Sequence, residues 1–167
     1  CVASIANAVG NKLALGKLVI VDNASTDGSL AYVESCPLPT IIIRNAVNMG
    51  FGAACNQGMS ASSSPLLVFL NPDTIVTFDS LAGPLAFLSA PENKHYAACG
   101  IQLVDENGRV TRSCARLPTA KILVLSSLGI SKLFPAKAWD IPMTDWDHMA
   151  NRDVDHVIGA AYFVRRN

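Results

Sequence analysis

Three times in the first half of the chain an unbroken apolar run gives way to small and polar residues and then to a helix-like stretch. KLVIVD at 17–22 leads into NASTDGS and a helix predicted to run through Val33. TIIIRN at 40–45 precedes a predicted helix over 50–60, and PLLVFL at 65–70 stops at Asn71-Pro72-Asp73-Thr74 before a helix near 79–89. Apolar runs without alternation are the pattern of strands covered on both faces. Strand, turn and helix repeated in this order predict an α/β fold, with a mostly parallel sheet flanked by helices and joined by right-handed crossovers. The opening CVASIANAV has the small and apolar spacing of a helix, with no strand before it.

Past Pro91 the pattern changes. HYAACGIQLVDENGRVTRSCA reads as two strands around a hairpin with Asp105-Glu106-Asn107-Gly108 as its turn, because Asn-Gly supplies the positive φ that tight hairpins need. A helical or irregular stretch to Phe134, a polar and aromatic loop to Arg152 and a last strand-like run, VDHVIGAAYFVRR, complete the chain. With no internal repeat and no low-complexity linker, a single domain over 1–167 is expected. A domain of that length buries roughly two thirds of its unfolded surface without a disulfide or metal.

Composition narrows the function classes. Half of the residues are hydrophobic and 16% are charged, as in a packed globular protein. Lys plus Arg equals Asp plus Glu at 13 each, so no overall field draws nucleic acid, and an anionic ligand must be held by local devices. The five cysteines lack CxxC spacing and sit mostly among apolar or small residues, the usage of reduced, mostly buried thiols in a cytoplasmic protein. The three histidines have no paired ligand spacing, which argues against zinc. The most hydrophobic window, 122–134, is interrupted by polar residues and falls short of the roughly 20 residues that span a bilayer.

In open α/β sheets ligands gather at the carboxyl ends of the strands. That rule collects Asp22, Asn23 and Asp27 in the first loop, Asn45, Asn48 and Gly50 in the second, and Asn71 and Asp73 in the third. These loops offer carboxylates, amides and glycines, without the lysine of a phosphate-binding loop. A diphosphate held there calls for a divalent cation, and Asp73, just past a buried strand with Pro72 fixing its exit, is placed to anchor Mg²⁺ or Mn²⁺. Asn-Pro-Asp is equally ordinary turn chemistry, in which Asp73 is merely solvated. Asp22 can accept a base imide N–H or a ribose hydroxyl, whereas Ser25, Thr26 and Asp27 have the look of an N-cap cluster. Gly50-x-Gly52-x-x-Cys55 approaches a dinucleotide fingerprint, but its first glycine stands five residues past Asn45 and Cys55 replaces the third glycine. An NAD-dependent oxidoreductase is the rival reading that this near-match supports.

Taken together, VIVDNASTDGS, RNAVNMGFGAACNQG, LLVFLNPDT and VIGAAYFVRR, in this order and at these separations, closely resemble a family 2 glycosyltransferase of the rhamnosyltransferase-like branch. The resemblance covers nearly the whole chain from Leu18 to Arg166. It implies a GT-A fold, a nucleotide-diphosphate sugar donor with dTDP-rhamnose as the branch's guess, a divalent metal, and inverting transfer to a glycan or lipid-linked acceptor. Asp22 matches the base-binding aspartate, and Asn45, Asn48 and Gly50 match the segment lining the nucleotide pocket. Asn71-Pro72-Asp73 stands where the family has its metal-binding DxD, which leaves Asp73 to supply the metal carboxylate. The strand 157–166 matches the one approaching the acceptor side; Arg165 and Arg166 read as a solvated strand end, with phosphate contact as the alternative.

The same resemblance implies a partial domain. The family's first strand would precede Cys1, and its catalytic base lies beyond the arginine pair, so no catalytic residue is assigned here; Asp153 and Asp155 come into question by proximity alone. A nucleotide-binding fragment without turnover is therefore a further reading. A sheet lacking its first strand exposes an apolar edge, which admits strand exchange or a homodimer. The expected setting is cytoplasmic, with peripheral contact at the inner membrane face open to a lipid-linked acceptor.

Overall fold

Helix α1 (Val2–Val9) places Ile5, Ala8 and Val9 on one face, and these are its buried residues. Helix α3 (Phe78–Ser89) does the same with Leu81, Pro84 and Leu88, and the two helices pack on each other. Spacings of three and four are what bring such residues to one stripe. In the computed structural model the described residues are 1–10, 13–33, 36–117, 119–120, 124, 127, 143 and 145–166. The chain divides into two compact units, Cys1–Cys99 with Phe163–Asn167, and Gly100–Tyr162.

In the first unit, β1 (Leu18–Asp22) and β2 (Thr40–Arg44) form a parallel pair in which Leu18 faces Thr40 and Asp22 faces Arg44. Helix α2 (Phe51–Ser60) lies against β1. Gly58 faces β1, and a Cβ there would stand 3.6 Å from Val21 Cγ2, at ordinary van der Waals contact. Strand β3 (Leu66–Leu70) belongs to a different ladder, ordered β3-β9-β4, with β4 at Ala98–Gly100 and β9 at Ala161–Arg165. The expected single, mostly parallel sheet is therefore corrected: strand and helix alternate as predicted, but among the described residues no ladder joins β1 to β3. Nor are β1, β2 and β3 covered on both faces, since none of their residues is fully buried. The apolar runs identified strands without fixing their neighbours, and the partner of β3 comes from about ninety residues later. The most deeply buried side chains are Leu88 and Phe163, both at 0% exposure.

The helix predicted through Val33 is a single 3₁₀ turn, Ser29–Tyr32, while α2 and α3 fall where the pattern put them. A capping box starts α3: the Thr77 hydroxyl accepts from the Ser80 amide at 3.3 Å and the Ser80 hydroxyl accepts from the Thr77 amide at 2.8 Å. Arg165 and Arg166 are half-exposed at the strand end, and each guanidinium is bound to main-chain carbonyls. Arg165 donates to the carbonyls of Leu88 and Tyr96, and Arg166 to that of Met59. Leu88 and Met59 lie in the last turns of α3 and α2, so both guanidinium groups stand where the helix dipole favours a cation, and the Met59 carbonyl also accepts from the Ser62 amide at 3.3 Å.

The second unit holds the predicted hairpin. Leu103–Val104 (β5) pairs antiparallel with Val110–Thr111 (β6), Gly108 has φ +73°, and Asp105 Oδ1 accepts from the amides of Asn107 and Arg109 at 2.9 Å each. Beside it Cys114–Ala115 (β7) pairs with His156–Val157 (β8). The final apolar run is thus two strands instead of one, interrupted over 158–160, where the Ile158 amide donates to the Ser113 carbonyl. Gly100 is required for packing, because a Cβ there would stand 2.7 Å from Val157 Cγ1. One Arg116 nitrogen reaches both oxygens of Asp145 at 2.9 Å, and this hydrogen bond is the main cause holding the Asp145 carboxyl below the usual range. The predicted helical or irregular stretch to Phe134 lies almost wholly outside the described residues. None of the five cysteines, all of them described, forms a disulfide, but only Cys114 is buried; the other four are half-exposed.

Candidate functional site

The parallel register ends β1 and β2 together, and the loops that follow are joined by side-chain amides. The Asn45 amide donates its backbone N–H to the Asp22 carbonyl at 2.9 Å. Its side-chain Nδ2 donates to Asn23 Oδ1 and to Gln57 Oε1, each at 2.9 Å, and its Oδ1 accepts from Gln57 Nε2 at 2.9 Å. Asn23 Nδ2 then reaches the Gly50 carbonyl at 3.4 Å. Asn23, Asn45 and Gln57 are half-buried, where unpaired amides would be costly.

Two local turns complete this end. Asp22 Oδ1 accepts from the Ser25 amide at 3.1 Å, which curls the chain through Ala24 in a left-handed conformation at φ +65°. Such a conformation is uncommon for a residue with a side chain. Asn48 Oδ1 accepts from the Gly50 amide at 2.9 Å, and Gly50, with φ +83°, is the N-cap of α2. A glycine is needed there, since that φ is strained for any side chain. Asp27 serves the 3₁₀ turn: its Oδ1 accepts from the Ser29 amide at 3.0 Å, and that bond holds its carboxyl below the usual range.

The third loop is built differently. The Asn71 carbonyl accepts from the Thr74 amide at 3.2 Å and from the Thr74 hydroxyl at 2.7 Å, closing a turn over Asn71-Pro72-Asp73-Thr74. Behind it, α1 contributes Ser4 Oγ, which accepts from the Val76 amide at 3.2 Å, and Cys1 Sγ lies 3.7 Å from Thr74 Oγ1. Asp73 is exposed, and its carboxylate has no hydrogen bond among the described residues.

Asp22, Asn23, Asn45, Asn48 and Gly50 are thus drawn into one connected cluster, while Asn71 and Asp73 stand on a separate ladder. Among the described residues no group of three His, Cys, Asp or Glu is placed to enclose a metal. Sequence reasoning missed Gln57, whose role shows only once α2 is seen to pack against β1. The dinucleotide reading weakens here, because β2 ends at Arg44 and five residues intervene before Gly50. Of Asp153 and Asp155, both in the second unit, Asp155 Oδ2 accepts from the Leu117 amide at 3.2 Å.

Parallel strands followed by polar loops, with a glycine-capped helix packed on β1, make this an α/β domain. The chain belongs to glycosyl transferase family 2, whose model matches residues 1–157. It is accordingly a glycosyltransferase domain with a nucleotide sugar as the class of its donor. No curated protein and no solved structure matches the chain significantly. Among the described residues no helix is long and apolar enough to cross a membrane.

Proposed function

We propose that the chain binds a nucleoside-diphosphate sugar at the ends of β1, β2 and β3, and that the complete enzyme transfers the sugar with inversion to a glycan or lipid-linked acceptor. The observation that carries this reading is the amide cluster joining the Asp22–Asn23 and Asn45–Gly50 loops, in a chain of this family. Asp22 keeps Oδ2 uncommitted for a base imide or a ribose hydroxyl, and Asn48 keeps Nδ2 for an oxygen of the donor. The first turn of α2 contains no acidic residue, so its orphan N–H groups favour a phosphate. Val47, Met49 and Phe51 stand exposed on either side of Asn48 and Gly50, an apolar rim that a base or sugar face can cover.

A divalent cation fits the donor set at the third loop. Mg²⁺ is commonly held by one or two carboxylates together with substrate phosphates, and Asp73 is one carboxylate with no competing partner. Bound there, the cation would supply charge stabilisation to the leaving diphosphate. The sugar we favour is rhamnose from dTDP-rhamnose, and the setting polysaccharide assembly, on the likeness of the four motifs to that branch.

The test is a thermal shift with dTDP, UDP and NAD, each with Mn²⁺ and with EDTA, on the parent chain and on Asp73→Ala. A rise in Tm with dTDP or UDP that requires Mn²⁺ and vanishes in Asp73→Ala is the expected result. An equal, chelator-insensitive response to NAD would overturn it.

A further inference from the structure

We propose that Gln57 is a positioning residue of the donor site, acting through Asn45 and Asn23 to fix the Gly50 main chain beside the Asp22 loop; the proposal rests on the nucleotide-sugar reading above. The argument is one of valence. A carboxamide has two N–H donors and a carbonyl oxygen, and either of its two flip states looks the same in outline. In Asn45 both N–H groups are committed, to Asn23 Oδ1 and Gln57 Oε1, and the oxygen accepts from Gln57 Nε2. Flipping Asn45 alone would set its oxygen against the oxygens of both neighbours. The Gly50 carbonyl, which can only accept, sets Asn23 with its Nδ2 toward Gly50 and its oxygen toward Asn45, and the reciprocal pair with Gln57 then locks Asn45 in the flip state that completes the chain of bonds.

The consequence reaches ligand-facing groups. Gly50 is at once the N-cap of α2 and the donor to Asn48 Oδ1, so its main chain on either side bears on both the aim of the helix N-terminus and the rotamer of Asn48. Gln57 stands on α2 two turns away, next to Gly58, which faces Val21 of β1. It touches no ligand in this scheme; it holds fixed the residues that would. Pre-setting a loop in its bound form improves affinity by lowering the ordering cost of binding.

The experiment uses isothermal calorimetry of dTDP and UDP with Mn²⁺ on the parent chain, Gln57→Leu, Gln57→Glu, Asn23→Ala and the double variant Gln57→Leu/Asn23→Ala. Gln57→Leu removes both bonds to Asn45, while Gln57→Glu keeps the size and acceptor but places a second oxygen against Asn45 Oδ1. Each is expected to raise the Kd about tenfold, equivalent to about 1.4 kcal/mol. The double variant is expected to bind no more weakly than Asn23→Ala, because Gln57 works through Asn23. A stability role alone would leave the Kd of the folded protein unmoved, and full additivity with Asn23→Ala would also overturn the proposal. Parent binding with unchanged affinity in both Gln57 variants sinks the positioning role and leaves the donor site standing. Failure of the parent chain to bind either nucleotide sinks both. If Gln57→Leu does not fold, Gln57→Glu, which retains one hydrogen bond and the side-chain volume, carries the measurement.

Discussion

The ends of β1 and β2 and the end of β3 each present polar residues past an apolar strand, and they are built on opposite principles. At the first, side chains are consumed in holding one another: Asn45 has no N–H left, and Asn23 is engaged at both ends of its amide. At the second, the turn is closed by a carbonyl and Thr74 and is supported from behind by Ser4, so that Asp73 takes no part in its own scaffold. Polar residues that look alike in sequence divide into those that fix a shape and those left to meet a ligand. Counting donors and acceptors separates the two.

Substitutions can push on this contrast in descending order of their effect on stability. Phe163→Ala should cost most, about 3–5 kcal/mol, because a fully buried aromatic side chain leaves a cavity. Chemical denaturation reads it directly. Phe163 lies in β9, the strand hydrogen-bonded between β3 and β4, so the effect should also appear as faster amide exchange in β3 than in the β1–β2 pair. Uniform loosening of both ladders would blur the distinction.

Asn45→Ala comes next, at about 1–2 kcal/mol, since it strands the amides of Gln57 and Asn23 in half-buried positions. Here amide exchange should quicken at the β1–β2 end and leave β3 as it was. Thr77→Ala, which removes the cap of α3, should cost about 1 kcal/mol. Both are read by the same denaturation series, and Thr77→Ser, which keeps the hydroxyl, should recover most of the loss.

How much of this could be read from the chain follows the same division. Local signals were legible: the apolar runs named β1, β2 and β3, and Asn107-Gly108 named the hairpin turn. Pairing was not legible, because the partner of β3 is β9, and nothing in LLVFL specifies a strand so remote. The acceptors of Arg165 and Arg166 were hidden for the same reason: Leu88 and Met59 are 77 and 107 residues away. The candidate site residues were identified by position after a strand. Their division of labour was hidden, because it depends on which amide faces which, and Gln57 enters only when α2 is laid on β1. The 3₁₀ turn at Ser29–Tyr32 was overcalled as a helix; NASTDGS has the composition of a cap, and a cap cluster does not fix how far the helix runs.

Asp73 gives the smallest change in stability and the sharpest change in ligand binding. Its side chain is exposed and makes no hydrogen bond among the described residues, so Asp73→Asn should alter unfolding free energy by no more than about 0.5 kcal/mol, the ordinary range for surface positions. The amide keeps the shape of the carboxylate and removes its charge. If Asp73 supplies the carboxylate that a divalent cation needs beside a diphosphate, the nucleotide Kd of Asp73→Asn should no longer respond to Mn²⁺, while that of Asn45→Ala should respond fully from a weaker baseline. A variant with unchanged stability and lost cation response, set beside one with lowered stability and retained cation response, would establish that one strand end serves the cation and the other the scaffold. Loss of the Mn²⁺ response in both would show instead that the cation depends on the amide-linked loops, and that a free carboxylate does not by itself mark the metal-binding end.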